Sequence, residues 1–299
     1  MKILIIGSKG FIGTHAGHYF ASKGWETYGA DVAVDYANSN YFLIDSSNSD
    51  FTEVFNAQSF DVCLNCSGAA SVPDSLVHTV RDFTLNTATV LKLVESIRKY
   101  QPDCKFINLS SAAVYGNPTA LPIQEDAALA PVSPYGFHKK MAEEIIQEYY
   151  QLFGINGCSL RVFSAYGPGL YKQLLWDLYR KTATEKQIML SGSGNETRDF
   201  IHINDILQCI DLVIHKGDFK AGVYNVANGE QIAIKKIATL IAKEMNFKGT
   251  LKFSGIERIG DPLYWVASIE KIKQLGYTPS IGIEQGVSNY IQWAKESAS

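Results

Sequence analysis

The feature that most constrains this chain is Gly7-Ser8-Lys9-Gly10-Phe11-Ile12-Gly13, seated directly after the apolar run KILII at 2–6. A short isoleucine-rich run ending at a glycine reads as a strand buried on both faces. Residues 15–23 read as the helix that follows. Glycines at this junction let the backbone turn sharply and approach a pyrophosphate closely. The helix amino terminus then offers unpaired N–H groups and a positive dipole end. With a strand before it and a helix after it, the loop predicts a dinucleotide cradle, the alternative being an ordinary tight turn.

The same alternation continues downstream. Strands are expected at 26–31, 41–45, 61–66, 105–109 and within 155–163. Helices are expected at 74–99, with Leu76, Val80, Phe83, Val90, Leu93, Val94 and Ile97 on the apolar face, and at 135–153. Strands alternating with helices predict a doubly wound α/β fold with a parallel sheet covered on both faces. Beyond residue 163 the rhythm breaks and glycines cluster, so a smaller carboxy-terminal lobe is expected there. The division read from this is 1–165 for the Rossmann-type domain, with 197–228 returning to it, and 166–299 mainly for the lobe.

Composition narrows the function classes. With 46% hydrophobic and 19% charged residues among 299, the chain can bury a large core. Its 27 basic and 30 acidic residues form no basic stripe, so no nucleic-acid partner is expected. No run is long enough to span a membrane, and the apolar stretch near the amino terminus is too short for a signal-peptide core. Five thinly spread cysteines suit reduced thiols, and with these features predict a cytoplasmic protein. Cys63 and Cys66 form a C-x-x-C within an expected strand, where positions three apart face opposite sides, so they read as inert buried thiols. No histidine has partners at metal-ligand spacing, and no metal is expected.

Candidate chemistry lies where the strands end. Asp31 closes the second strand, where a carboxylate would hydrogen-bond ribose hydroxyls and repel a 2′-phosphate; this favours NAD. Lys9 argues for NADP as the alternative, since a cation in the glycine loop could meet that phosphate. Asp45 ends the third expected strand and could reach an adenine. Tyr135 and Lys139 are four apart after Pro134, on one face of an expected helix. A neighbouring ammonium favours the phenolate and equips the pair to move protons. Ser110 and Ser111 follow the fifth strand and put a hydroxyl at the carboxyl end of the sheet. Tyr171, Trp176 and Tyr179 read as lobe packing, and Tyr264-Trp265 as a wall of the substrate site.

Together these segments resemble the extended short-chain dehydrogenase/reductase family, and more narrowly its NAD-dependent nucleotide-sugar epimerase/dehydratase branch. The resemblance rests on GSKGFIG at 7–13, SSAAVYG at 110–116, YGFHK at 135–139, RVFSAYGPG at 161–169, RDFIHINDI at 198–206, YNVANG at 224–229 and ERIGDP at 257–262. It implies Tyr135 as acid and base, Lys139 as its electrostatic partner and ribose ligand, and Ser111 beside the reacting oxygen. It assigns Gly7, Gly10, Phe11, Ile12 and Gly13 to the phosphate loop, Asp31 to the adenosine ribose and Asp45 to the adenine. Cys66, Ser67 and Gly68 would line the cofactor, with Asn86 in support. Arg198 and Arg258 would bind the diphosphate of a nucleotide-sugar by bidentate guanidinium contacts. Ser164 stands where the family often has Asn. The resemblance also implies a homodimer through 74–99 and 135–153.

One departure selects among reactions. Sugar 4,6-dehydratases of this family carry acids just after the catalytic hydroxyl, and decarboxylating relatives tend to carry one; here stand Ala112 and Ala113. The expectation is therefore epimerisation at the sugar 4-position through a keto intermediate. A 4-ketoreductase using NADPH or NADH is the runner-up, and a non-catalytic dinucleotide sensor the alternative from another class.

Overall fold

The computed structural model describes residues 1–46, 48–256, 260 and 262–297. Seven strands form one parallel sheet. From one edge the order is Lys220–Val226, β6 (Gly157–Val162), β5 (Lys105–Ser111), β4 (Val62–Asn65), β1 (Lys2–Ile6), β2 (Glu26–Asp31) and β3 (Tyr41–Leu43). Strands proceed outward from β1 in both directions, so the chain reverses between β1 and β4. A crevice opens there, at the carboxyl ends.

Burial on both faces explains the near-continuous apolar strands. Ile3 and Ile5 pack in one core cluster with Val62, Leu64, Ile107 and Leu160, whereas Leu4 and Ile6 face another with Phe106, Leu93 and Ile97. Such alternation across a sheet covered on both sides is what the period of two dictates. A third cluster belongs to the carboxy-terminal part, where helices Gln173–Thr184, Ile234–Glu244 and Ile283–Ser297 pack around Leu178, Ile237 and Tyr290. Trp176 stacks there with Tyr179 and Trp293, confirming the packing role expected of that aromatic stretch.

Three local expectations are corrected. Helix α1 runs Phe11–Ser22, so the glycine loop passes into helix four residues earlier than the apolar pattern suggests. Strand β4 ends at Asn65, leaving Cys66 just beyond it. The expected single helix at 74–99 is instead Val72–Val77, Thr79–Phe83, a π-helical segment Thr84–Ala88 and Thr89–Tyr100. Its periodicity splits accordingly. Val90, Leu93, Val94 and Ile97 are core, but Leu76, Val80 and Phe83 are exposed, Val80 by 80%.

A buried ion pair fixes the helix Pro134–Phe153 against the sheet. Arg161 of β6 donates Nη2 to Glu143 Oε2 at 2.7 Å and Nε to Glu143 Oε1 at 3.0 Å. Its Nη1 reaches the Tyr115 hydroxyl at 2.8 Å, which donates to Asn225 Oδ1 at 2.7 Å on the neighbouring strand. Removing one partner strands the other charge in the interior. Arg161→Ala is therefore expected to lower unfolding free energy by about 3–5 kcal/mol. Lys181→Ala, which breaks the surface pair with Asp177, should cost less than about 1 kcal/mol. Urea denaturation of both variants checks the contrast.

Candidate active site

The phosphate end of the crevice is built by close backbone approach. Gly7 has φ +75°, and a Cβ there would lie 2.7 Å from the Ser67 nitrogen. A Cβ on Gly13 would lie 2.1 Å from the Gly7 carbonyl oxygen. Both positions therefore require glycine, and the contacts seat α1 hard against the strand ends. Gly10 is the N-cap of α1, with no capping side chain and no acid in the first turn. The amino end that carries Phe11, Ile12 and Gly13 thus keeps its positive dipole for an anion.

Asp31 lies at the end of β2 and accepts the Lys9 backbone N–H at 2.8 Å and that of Val32 at 2.7 Å. It thereby ties the glycine loop to the strand end. The Lys9 side chain, which in the NADP alternative could meet a 2′-phosphate, is turned onto Asp35. Asp45 lies past β3, exposed, and accepts the Asn48 N–H at 3.3 Å.

The other end of the crevice gathers β4, β5 and the helix Pro134–Phe153. Asn65 Nδ2 donates to Asn108 Oδ1 at 3.0 Å, and its own Oδ1 accepts the Ser67 N–H at 3.1 Å and hydroxyl at 2.6 Å. This buried amide pair places Ser67 and Gly68. Gly68 has φ +116°, and a Cβ there would stand 2.5 Å from Asn86 Oδ1 and 3.5 Å from Lys139 Nζ. Both amide atoms of Asn86 are buried without a hydrogen-bond partner. Unsatisfied buried groups are costly, and they are expected where a ligand completes them. The glycine cradle, the open helix end, Asp31 and the orphaned Asn86 together fit a dinucleotide running from α1 toward Lys139.

Ser133 caps the helix by accepting the Gly136 N–H, and Pro134 starts it. The Tyr135 N–H donates to Ser75 Oγ at 3.2 Å, so the short helix Val72–Val77 anchors its backbone. Ser111 terminates β5, accepts the Ala113 N–H at 3.2 Å and lies near enough to the Tyr135 phenol to lower its pKa. Lys139 Nζ donates to the Leu109 carbonyl at 2.9 Å and lies 5.9 Å from the Tyr135 ring centroid. The three expected catalytic side chains therefore converge.

Burial governs their protonation. It pushes the Tyr135 phenol up to about 12, against the lowering by Ser111 and with a further rise from Asp82. It pushes the Lys139 ammonium down to about 8, partly offset by Asp82, Glu143 and Cys66. The protein alone thus holds a phenol; a cation brought beside it favours the phenolate.

Sequence reasoning missed the Asp82–His138 pair. His138 Nδ1 lies 2.6 Å from Asp82 Oδ1, both residues are buried, and Asp82 Oδ2 has no partner. Thr87 Oγ1 donates to the His138 carbonyl at 2.9 Å. The pair pins the segment bearing Asn86 to the turn between Tyr135 and Lys139. Glu143 was missed as well, although its place four residues after Lys139, on the same helical face, was a signal for it.

The substrate side is more open. Arg198 is half-buried, its Nη1 donates to the Thr197 carbonyl at 2.9 Å and its guanidinium lies 5.6 Å from the Trp265 ring. Trp265 is buried and donates Nε1 to the Gly116 carbonyl at 3.0 Å, while Tyr264 is exposed. Ser164 is half-buried and pairs with Phe200 in a two-stranded ladder. Arg258 lies outside the described residues.

Lys139 carries a testable conflict between stability and chemistry. Its folded pKa is depressed, so below about pH 8 the folded chain bears the cost of a buried charge. Between there and the reference value near 10.4 the unfolded chain binds more protons, and folded stability rises with pH from this group. Lys139→Met is expected to raise the Tm of the cofactor-free protein at pH 7 by a few degrees, with the gap closing toward pH 10. Thermal melts across that range measure it; a lower Tm at pH 7 would contradict the analysis.

Comparison with known proteins agrees with this geometry. The NAD dependent epimerase/dehydratase family matches residues 3–227. A putative UDP-glucose 4-epimerase of Methanocaldococcus jannaschii is 26% identical, over 99% of each chain. The UDP-glucuronic acid 4-epimerase of Bacillus cereus, solved with UDP-glucuronic acid and NAD, superposes with a TM-score of 0.89 at 25% identity, covering 99% of this chain and 100% of that one. The UDP-glucose 4-epimerase of Thermotoga maritima has the same fold, with a TM-score of 0.91 at 23% identity over the whole of both chains. By the extent of the family match and the motifs assembled around Tyr135, the chain belongs to the NAD dependent epimerase/dehydratase family.

Proposed function

We propose that the protein is an NAD-dependent nucleotide-sugar 4-epimerase. The observation that carries this reading is the convergence of Tyr135, Ser111 and Lys139 beside the orphaned Asn86, with Ala112 and Ala113 where a dehydratase would place acids. Relatives across the whole chain are described as UDP-glucose and UDP-glucuronate 4-epimerases, which supports a UDP-sugar as the substrate.

Bound NAD supplies a two-electron acceptor at its nicotinamide. Tyr135 takes the proton of the sugar 4-hydroxyl as C4 is oxidised, and Ser111 donates a hydrogen bond to the same oxygen. Lys139 holds the ribose and stabilises the phenolate. The 4-keto sugar turns over while Arg198 and Arg258 retain its diphosphate. Tyr135 then returns its proton as C4 is reduced on the opposite face, so the cycle is redox-neutral.

The division of labour follows. Residues 1–165, with 197–228, hold the cofactor, and 166–299 mainly hold the sugar nucleotide. Asp31 and Asp45 serve the adenosine end, and Cys66, Ser67 and Gly68 the nicotinamide end. The exposed apolar side chains Leu76, Val80, Phe83, Phe137 and Met141 support a homodimer packed through those helices. Five cysteines free of disulfides suit the cytoplasm, and no described helix is long and apolar enough to cross a membrane.

Tyr135→Phe is expected to lower kcat by about 10²–10⁴-fold while retaining NAD binding. Full activity in that variant would contradict the mechanism. Val80→Glu should shift the protein to monomer in analytical ultracentrifugation; an unchanged sedimentation coefficient would refute the interface.

A further inference from the structure

The cation in the glycine loop is not available to a cofactor phosphate. Lys9 Nζ pairs with the Asp35 carboxylate and lies 5.2 Å from the Tyr41 ring centroid. Asp35 is the more enclosed partner, with a side chain 16% exposed against 41% for Lys9. Its other oxygen accepts the Ala37 N–H at 3.1 Å, which fixes it within the segment after β2. Tyr41 donates its hydroxyl to the Ala33 carbonyl, folding this segment back over the loop. The Lys9 backbone N–H is meanwhile held by Asp31 at 2.8 Å. One lysine thus joins the carboxylate expected to meet the adenosine ribose to a second carboxylate beside it.

We propose that Asp35 is a specificity-determining residue: by holding Lys9 it withdraws the loop's ammonium from the adenosine ribose edge, so that the site takes NAD and rejects a 2′-phosphate. The inference rests on the dinucleotide reading of the site and deepens it. A 2′-hydroxyl needs only the acceptor that Asp31 provides. A 2′-phosphate brings about two negative charges at pH 7. It meets Asp31 and Asp35 together, and the lysine that would compensate it is already neutralised. Asp31 alone would repel the phosphate but leave Lys9 to offset the repulsion. With Asp35 in place the rejection does not depend on Asp31 alone.

Direct binding of NAD and NADP, measured by calorimetry on the full-length protein, tests this. Asp35→Asn keeps the side-chain shape and the acceptor for Ala37 while releasing Lys9. It is expected to lower the ratio of NADP to NAD Kd by on the order of tenfold at low ionic strength, with the gain shrinking in salt. Adding Lys9→Met to Asp35→Asn should remove most of that gain. Lys9→Met alone should not lower the ratio: it adds no cation and leaves the Asp35 carboxylate unpaired, so the ratio stays at or above the parent value. The proposal is overturned by an unchanged ratio in Asp35→Asn, or by a double variant that keeps the full gain. A Lys9→Met variant with a clearly lower ratio of NADP to NAD Kd than the parent, a result that does not require Asp35→Asn to fold, overturns it as well. A parent protein that prefers NADP overturns the proposal together with NAD use. One that binds neither dinucleotide removes the underlying reading, an outcome distinct from a failure at Asp35.

Discussion

The Glu143–Arg161 pair is the interaction on which the rest of the site depends. It is nearly dry, with both side chains less than a tenth exposed, and it joins the helix bearing Tyr135 and Lys139 to β6. Ser110 of β5 also donates to Glu143, at 2.5 Å, one residue before the serine near the phenol. Tyr135, Lys139 and Glu143 are spaced by four, so one helical face carries the phenol, the ammonium and the anchoring carboxylate. Burying two charges is a poor way to gain stability, and hydrophobic replacements are often as good. What the pair supplies is registry, since a carboxylate and a guanidinium meeting through two parallel bonds tolerate little sliding.

Around that anchor the chain accepts several local costs in the same crevice. Lys139 carries an ammonium through burial that opposes its charge. Asn86 leaves an entire amide unsatisfied, and it sits on a π-helical turn, a distortion often found at functional sites. Gly68 adopts a backbone conformation that L side chains rarely take, in order to clear that amide. A ligand that brought hydroxyls and an amide to this end would satisfy the Asn86 amide. Asp82 and His138 keep the segment bearing Asn86 and the helical turn from Tyr135 to Lys139 together.

The sequence made legible whatever is local. The glycine loop, Asp31 and the Tyr135–Lys139 spacing each depend on neighbours within about one helix or strand, and the structure assembles them as their spacing implies. The long helix at 74–99 misled because its periodicity reads burial without saying against what. Val90, Leu93 and Val94 meet this chain's own core, whereas Val80 and Phe83 face outward. Contacts between distant segments were not legible. Asp82 and His138 are 56 residues apart, Asn65 and Asn108 43 apart, and each reads alone as an ordinary polar residue. Lys9 shows the same limit at short range: its charge was evident, but its partner lay in a loop whose path no periodicity describes.

The central claim is a redox-neutral inversion at one carbon. NMR of a UDP-hexose incubated with the protein and a trace of NAD tests it most directly, with nicotinamide absorbance followed in parallel. The account predicts progressive appearance of the C4 epimer to an equilibrium mixture, with no net accumulation or consumption of reduced cofactor. A product formed only with stoichiometric consumption of NADPH or NADH would contradict it, and would make the protein a ketoreductase built on the same three side chains.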